Sequence, residues 1–394
     1  MIPNIPVLLL TGYLGSGKTT LLNRILANRS GIRFAVIVND IGEVNIDASL
    51  IQQGGVVSQK DDNLLSLTNG CICCTLKMDL VQQLHDLCIA DRFDYIVIEA
   101  SGICEPAPIA QTICSYRRMV PFTEDPAPQL DCLVSVVDAL RLRDEFAEGR
   151  DLQRTDLEED DLASLVIQQI EFCNIILLNK ASEIAPDELE RVTAIIRAIQ
   201  PNAEIIPTDY CDVPFDKILF THRFNFDAVA GSAAWIEGVE GAVDEEDEHH
   251  HAHEHEHHHE HEHDHNEEHG EAYEYGIDTF VYYRRRPFNL GRFDDFVARL
   301  WPKNVIRCKG MCYFSDEYDL CYLFEQAGRQ FNLKPCGEFY VTMPKEELMQ
   351  MMASDPILQR DWDEEYGDRM QKLVFIGQHL DKEAITTALD NCLD

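Results

Sequence analysis

The chain has 394 residues, of which 45% are apolar, and its formal net charge at pH 7 is −37. This length allows two or three domains, and the apolar fraction is sufficient for packed cores. So large a negative charge disfavours nucleic acids and anionic membranes as partners, because both attract basic surfaces. The sequence has no run of about 18 apolar residues, so we expect no membrane-spanning helix.

The cysteine content bears on cellular location. Fourteen cysteines are scattered along the chain. The first apolar run leads into a glycine-rich loop without the small-residue cleavage pattern of a secretory signal. Scattered thiols without an export signal are typical of reduced proteins, so the sequence predicts a cytoplasmic location.

Residues 1–228 alternate apolar runs with helical patterns. The runs are rich in Val, Ile and Leu and nearly continuous, as in strands that are buried on both faces. This alternation predicts an α/β domain whose parallel sheet carries helices on both faces. The predicted strands are residues 7–10, 34–38, 95–98, 132–137 and 175–178, and the predicted helices are residues 19–27, 76–88, 160–169 and 186–199.

Residues 229–273 lack apolar periodicity and are predicted to be a disordered linker between two domains. Residues 244–271 contain 13 acidic side chains and no Lys or Arg. Neutral imidazoles among acids favour metal capture at an auxiliary site, with a purely solvated segment or a client-docking segment as alternatives. Twelve of the fifteen histidines lie here: His249, His250, His251, His253, His255, His257, His258, His259, His261, His263, His265 and His269.

Residues 274–394 are predicted to form a second, smaller α+β domain. Cys308 and Cys312 lie four residues apart on a predicted strand, too far apart for one metal ion, so we interpret them as packing residues. The predicted strands are residues 276–283, 304–314, 319–325 and 372–376, and the predicted helices are residues 290–300 and 382–393.

A phosphate-binding loop is predicted at residues 12–19. The run G-Y-L-G-S-G-K-T matches the pattern G-x-x-x-x-G-K-[ST], between an apolar strand and a helix. Backbone N–H groups and the helix N-terminus would bind phosphate, Lys18 would reach the β and γ phosphates, and Thr19 would ligate Mg²⁺. The first domain is therefore predicted to be a P-loop NTPase. The predicted nucleotide-binding residues of this loop are Gly12, Gly15, Ser16, Gly17, Lys18, Thr19 and Thr20.

Glu99 and Lys18 are predicted to be the catalytic residues. Glu99 ends the apolar run at 95–98 and precedes Ala100, Ser101 and a glycine, which is the placement of a carboxylate that holds Mg²⁺ or polarises the attacking water. The alternative is an ordinary exposed acid at a strand end.

Asn179 and Lys180 follow another apolar run and are predicted to bind the nucleotide base. An N-K-x-D run at such a strand end recognises guanine through its aspartate, but the fourth position here is Ser182, followed by Glu183. A serine cannot supply a charged acceptor. Guanine is still favoured over adenine, either with weaker discrimination or through Glu183.

Three thiols within four residues, Cys71, Cys73 and Cys74, are predicted to bind a soft metal ion. Three ligands from one loop leave a tetrahedral position open, which suits a site that receives and releases its ion. Glu43 or Asp40, after the second predicted strand, could complete the site, and Asp40 could also contribute to the Mg²⁺ shell. A redox dithiol and inert packing cysteines are the alternatives.

These motifs together resemble the CobW-type P-loop GTPases, and in particular their zinc-responsive YciC/ZigA-like branch. The resemblance covers nearly the whole chain. Two departures are N-D-I-G-E, where the family often has N-E-F-G-E, and Ser182, which weakens the expectation of a strict GTP preference. The matching segments are the phosphate loop, V-N-D-I-G-E-V-N-I-D at 38–47, N-G-C-I-C-C-T-L at 69–76, I-E-A-S-G-I-C-E-P at 98–106, R-R-P-F at 285–288, K-G-M-C-Y-F at 309–314 and L-V-F-I-G at 373–377.

The resemblance implies GTP hydrolysis coupled to delivery of Zn²⁺ to a client apo-metalloprotein under zinc limitation. The implied cofactors are GTP, Mg²⁺ and Zn²⁺, with Co²⁺ as the alternative ion, and the second domain would be of the CobW C-terminal type. We expect a monomer or a metal-dependent homodimer. Alternatives are a cobalt or cofactor-assembly GTPase, of the cobalamin or nitrile hydratase type, and a zinc-storage protein with a regulatory nucleotide site.

Overall fold

The computed structural model describes residues 4–27, 31–39, 64–67, 77–90, 92–120, 125–145, 157–231, 276–328, 330–354 and 356–394. The chain divides into two compact units, Met1–Ala233 and Ala234–Asp394. Residues 226–231 are helical, so the first three residues of the predicted linker belong to a helix. The predicted linker is otherwise outside the described residues.

The described part of the first unit contains a sheet of seven parallel strands in the order β3-β2-β4-β1-β5-β6-β7. The strands are β1 (Ile5–Thr11), β2 (Phe34–Asn39), β3 (Leu64–Leu67), β4 (Tyr95–Glu99), β5 (Pro128–Asp138), β6 (Ile175–Asn179) and β7 (Glu204–Thr208). β1 is the central strand of this sheet, and its residues 7–10 are fully buried. β3 and β7 were not among the predicted strands.

Helices cover both faces of this sheet. Leu8 and Leu10 of β1 pack with Leu21 and Ile25 of the first helix on one face. Leu9 points to the other face and is equally buried, since the third helix contacts β1 and β5. The α/β prediction is therefore confirmed. The helices are α1 (Lys18–Leu26), α2 (Lys77–Ile89), α3 (Pro106–Cys114), α4 (Tyr116–Met119), α5 (Ala139–Glu145), α6 (Leu157–Glu171), α7 (Pro186–Ile199) and α8 (Phe226–Gly231).

The second unit contains an antiparallel sheet in the order β11-β10-β9-β12-β8. Its strands are β8 (Ile277–Arg284), β9 (Val305–Phe314), β10 (Glu317–Ala327), β11 (Gln330–Glu338) and β12 (Gln371–Gln378). Its α-helices are α9 (Leu290–Asp295), α10 (Lys345–Ser354), α11 (Pro356–Arg360) and α12 (Lys382–Asp390). The single helix predicted at residues 290–300 is α-helical only over α9 and continues as a π-helix over Phe296–Leu300.

One face of this second sheet packs into an aromatic core around Phe293, Phe314 and Phe375. Cys308 and Cys312 are both fully buried in the same core, so the prediction that they are packing residues is confirmed. None of the described helices is long and apolar enough to cross a membrane.

Candidate nucleotide site

The predicted nucleotide-binding residues meet at one edge of the seven-stranded sheet. All strands of the sheet are parallel, so their carboxyl ends share an edge, which is where ligands bind in open α/β sheets. The phosphate loop follows β1, while Glu99 and Asn179 end β4 and β6. Positions more than 80 residues apart in sequence therefore face one site.

Two glycines of the phosphate loop make close approaches that a side chain would block. Gly17 has a φ of 119°, and a Cβ there would lie 2.5 Å from Nδ2 of Asn179. Gly12 has a φ of 136°, and a Cβ there would lie 2.4 Å from the carbonyl oxygen of Val136. Positive φ values favour glycine. The two glycines therefore allow the loop to pack closely against the neighbouring strands.

The Lys18 side chain is held against this loop. Its Nζ donates a hydrogen bond of 3.1 Å to the carbonyl oxygen of Tyr13, and the residue is buried. The Tyr13 ring is itself buried and lies under the guanidinium of Arg141, 5.0 Å from the ring centroid. Thr20 is exposed on α1, whereas Ser16, within the loop, is fully buried.

Thr19 and Glu99 lie next to each other, as a Mg²⁺ site requires. The Thr19 hydroxyl donates a hydrogen bond of 3.3 Å to Oε1 of Glu99, whose side chain is only 2% exposed. The alternative interpretation, an ordinary exposed acid at a strand end, is wrong. A hydroxyl and a carboxylate are oxygen ligands of the kind that Mg²⁺ takes in nucleotide sites, so these two residues fit the ion.

Asn179 ties the phosphate loop to the segment after β7. Its Nδ2 donates to the carbonyl oxygen of Ser16 at 2.8 Å, and its Oδ1 accepts from the backbone N–H of Cys211 at 3.0 Å. The Cys211 thiol in turn donates to the carbonyl oxygen of Gly17 at 3.4 Å. The Asn179 amide therefore connects the phosphate loop to the segment after β7 through its nitrogen and its oxygen.

Lys180 is paired with the carboxylate at the end of β5. Its Nζ forms an ion pair with Oδ2 of Asp138, a side chain that is almost completely buried. Oδ1 of Asp138 accepts from the backbone N–H of Arg141 at 3.1 Å. Lys180 has a positive φ of 59° and begins the short 3₁₀ turn Ala181–Glu183.

That turn contains Ser182 and Glu183, and the structure separates their roles. Both side chains are exposed, and Ser182 contacts Asp209, the residue directly after β7. No local sequence motif points to Asp209, because only the pairing of β6 with β7 brings it to the turn.

The remaining predicted site residues lie outside the described residues. They are Asp40, Glu43, Cys71, Cys73, Cys74 and the twelve histidines between 249 and 269. Within the described ranges, no group of three or more His, Cys, Asp or Glu side chains could hold a metal ion.

Comparison with known proteins agrees with this geometry. Two family profiles match the chain: "CobW/HypB/UreG, nucleotide-binding domain" over residues 6–207 and "Cobalamin synthesis protein cobW C-terminal domain" over residues 277–393. A "Zinc-regulated GTPase metalloprotein activator 1" of Dictyostelium discoideum is 33% identical over 99% of this chain and 80% of its own length.

Two further relatives each match about half of the chain. A "Zinc chaperone CobW" of Pseudomonas aeruginosa is 30% identical over 55% of this chain, and a "Zinc-regulated GTPase metalloprotein activator 1" of Schizosaccharomyces pombe is 34% identical over 52%. The alignments span 59% and 46% of those relatives, about half of their length. On the two profile matches and the near full-length relative, the chain belongs to the CobW family of P-loop nucleotide-binding proteins.

Proposed function

We propose that this protein is a GTP-hydrolysing zinc metallochaperone, which binds Zn²⁺ at a thiolate site and transfers it to client metalloproteins under zinc limitation. The observation that carries the proposal is the 33% identity to a zinc-regulated GTPase metalloprotein activator over 99% of the chain. The reaction is GTP + H₂O to GDP and phosphate, with Zn²⁺ as cargo.

The phosphate loop binds and orients the triphosphate. Its backbone N–H groups and the N-terminus of α1 stabilise negative charge, and Lys18 exchanges its hydrogen bond with Tyr13 for the β and γ phosphate oxygens. When bound at Thr19 and Glu99, Mg²⁺ neutralises charge that develops on the phosphates. Glu99, buried and ending β4, holds the Mg²⁺ shell or orients the attacking water.

The cargo site is proposed from the sequence. Cys71, Cys73 and Cys74 supply thiolates, and Glu43 or Asp40 supplies an oxygen ligand. The loops at 39–47 and 69–74 would respond to the γ-phosphate, as switch loops do, so GTP binding and Zn²⁺ binding would be coupled reciprocally. We further propose a cytoplasmic location and a monomer or a metal-dependent homodimer.

The test replaces the three thiols together. In Cys71→Ala/Cys73→Ala/Cys74→Ala, we expect loss of tight Zn²⁺ binding and of any Zn²⁺ effect on GTP turnover, with basal turnover retained. Cys114→Ala, an exposed thiol at the end of α3, is the matched control. If zinc affinity and zinc-dependent turnover both survive the triple change, the thiolate assignment is wrong.

A second candidate is a cobalt or cofactor-assembly GTPase, which the cobalamin-synthesis description of the C-terminal profile favours. Competition between Zn²⁺ and Co²⁺ for the purified protein separates the two, because thiolates favour Zn²⁺. A zinc-storage protein would show negligible GTP turnover with any metal or client.

A further inference from the structure

The base-recognition turn of this chain has no carboxylate at the position where an N-K-x-D run places one. Ser182 occupies that position. Guanine presents two donors on one edge, the N1 hydrogen and the 2-amino group, and their natural partner is an ionised carboxylate, which only accepts. A site that recognises guanine therefore needs such an acceptor from somewhere else.

The structure supplies one from the neighbouring strand end. Oδ1 of Asp209 accepts a hydrogen bond of 3.0 Å from the backbone N–H of Ser182 and one of 2.9 Å from its hydroxyl. An aspartate at 182 would carry its carboxylate just beyond the position of that hydroxyl oxygen. The Asp209 carboxylate thus occupies the region that the missing side chain would fill.

Strand pairing explains why Asp209 arrives there. Asn179 of β6 is directly opposite Thr208 of β7 in a parallel register, so both chains leave the sheet side by side. Tyr210 and Cys211 have positive φ values of 52° and 53°, which turn the segment back towards the phosphate loop. Cys211 is then fixed by Asn179 and Gly17, so the Asp209 segment is a wall of the nucleotide site.

The acceptor capacity of this carboxylate matches guanine. Both Ser182 hydrogen bonds end on Oδ1, and a carboxylate has about four lone-pair positions, which leaves two for the N1 hydrogen and the 2-amino group. Adenine has an acceptor at N1 and no 2-amino group, so it would face the same carboxylate unfavourably. Glu183, the acid of the turn itself, has an exposed side chain, and its backbone N–H donates to the carbonyl oxygen of Lys180.

We propose that Asp209, positioned by Ser182, determines the specificity of this site for guanine nucleotides. The inference rests on the proposed GTP-dependent function and names the residue that selects the substrate. Relative to an N-K-x-D site, the acid comes from the segment after β7 and not from the turn, and the turn supplies the Ser182 hydroxyl that positions this acid.

The test is a change of base preference. Xanthine carries a 2-oxo group where guanine carries the 2-amino group, so Asp209→Asn, which gains an amide donor, should bind and hydrolyse XTP better than GTP. We expect kcat/KM for GTP to fall about 100-fold or more, since a site built for a polar group rejects analogues strongly, while kcat/KM for XTP rises. Gain of XTP activity shows that the variant is folded.

Glu183→Gln is the matched control and should leave the ratio of GTP to ATP and XTP activity unchanged. Ser182→Ala removes one of the two positioning hydrogen bonds and should lower GTP selectivity about 10-fold. If Asp209→Asn retains GTP preference, or if Glu183→Gln changes it, Asp209 is not the selecting residue. A wild-type protein that hydrolyses no nucleotide would contradict the proposed function instead.

Discussion

Lys18 is the cation of the phosphate loop and the first residue of α1, and its Nζ donates a hydrogen bond to the Tyr13 carbonyl oxygen. Lys18→Ala should reduce GTP turnover about 100-fold or more, because it removes a charge that is aimed at the phosphate oxygens. Turnover assays at saturating Mg²⁺ check this, with Lys303→Ala, an exposed lysine of the second unit, as the control. An equal effect of both changes would contradict the assignment.

Thr19 and Glu99 form the contact on which the Mg²⁺ assignment depends. Glu99→Gln preserves the shape of the side chain and removes its charge, so the Mg²⁺ concentration for half-maximal GTP turnover should rise about 10- to 100-fold. Glu105→Gln, on the exposed residue before α3, should leave the Mg²⁺ titration unchanged. Unaltered Mg²⁺ dependence in Glu99→Gln would place the ion elsewhere.

At the residue scale, the sequence indicates candidate site residues that belong to one contiguous motif. It does not indicate residues that come together only in the folded chain. The phosphate loop is contiguous, so its pattern identified the glycines, Lys18 and Thr19 directly. Asp209 is 27 residues from Ser182 and belongs to no contiguous motif. The role that we propose for it depends on the register between β6 and β7, which no local pattern reveals.

At the element scale, continuous apolar runs predicted most of the strands of the first sheet. β3 has such a run, L-L-S-L, but is only four residues long, whereas β7 and β11 lack the signal. β7 reads E-I-I-P-T and is only partly buried at the edge of its sheet. β11 reads Q-F-N-L-K-P-C-G-E, with its residues almost all exposed. Pro and Gly argue against a strand in sequence, but an edge strand tolerates both.

The Glu325 carboxylate of the second sheet lies within 4 Å of three cations. Glu325 of β10 lies 2.6 Å from Nζ of Lys309 and 3.8 Å from the guanidinium of Arg307 on β9. Lys334 of β11 is 3.7 Å away. Arg307 is 1% exposed, so Glu325→Ala would remove a carboxylate from beside a buried cation. We expect a loss of about 3 kcal/mol of unfolding free energy.

Urea unfolding followed by the fluorescence of Trp301, which stacks on Phe375 in the core, measures this loss. Glu338→Ala, at the exposed end of β11, is the matched control and should cost less than about 0.5 kcal/mol. Equal stability of both variants would show that the cluster contributes nothing net.

The same cluster predicts a pH dependence. Burial raises the pKa of Glu325, but Lys309 and Arg307 lower it by more, so the pKa lies below its usual value. A lowered folded-state pKa means that the stabilisation is complete above the unfolded value of about 4.3 and is lost as pH falls through the folded pKa. As the pH falls from 6 to below the folded-state pKa of Glu325, the wild-type protein should therefore lose more unfolding free energy than Glu325→Gln. Parallel pH profiles would contradict this.

At the scale of the whole molecule, the acid- and histidine-rich tract at 244–271 supplies −13 of the net charge of −37. It falls between the two matched family regions, which end at 207 and begin again at 277. The first matched region contains the phosphate loop, Glu99 and Asn179, and the twelve imidazoles lie in the sequence between the two matched regions. We therefore expect the tract to bind Zn²⁺ in addition to the ion at the thiolate site. This binding should not depend on GTP hydrolysis.

Deleting residues 244–270 should lower the number of Zn²⁺ ions bound per chain to that of the thiolate site, because twelve imidazoles are removed. GTP turnover at saturating Zn²⁺ should not change. Replacing the twelve histidines by Gln, with length and acidity kept, separates imidazole binding from simple attraction by the acids and should give the same low stoichiometry. Metal analysis after gel filtration measures it. An unchanged high stoichiometry in the deletion would exclude the tract as a zinc reservoir, whereas high stoichiometry in the glutamine variant alone would assign the ions to the carboxylates.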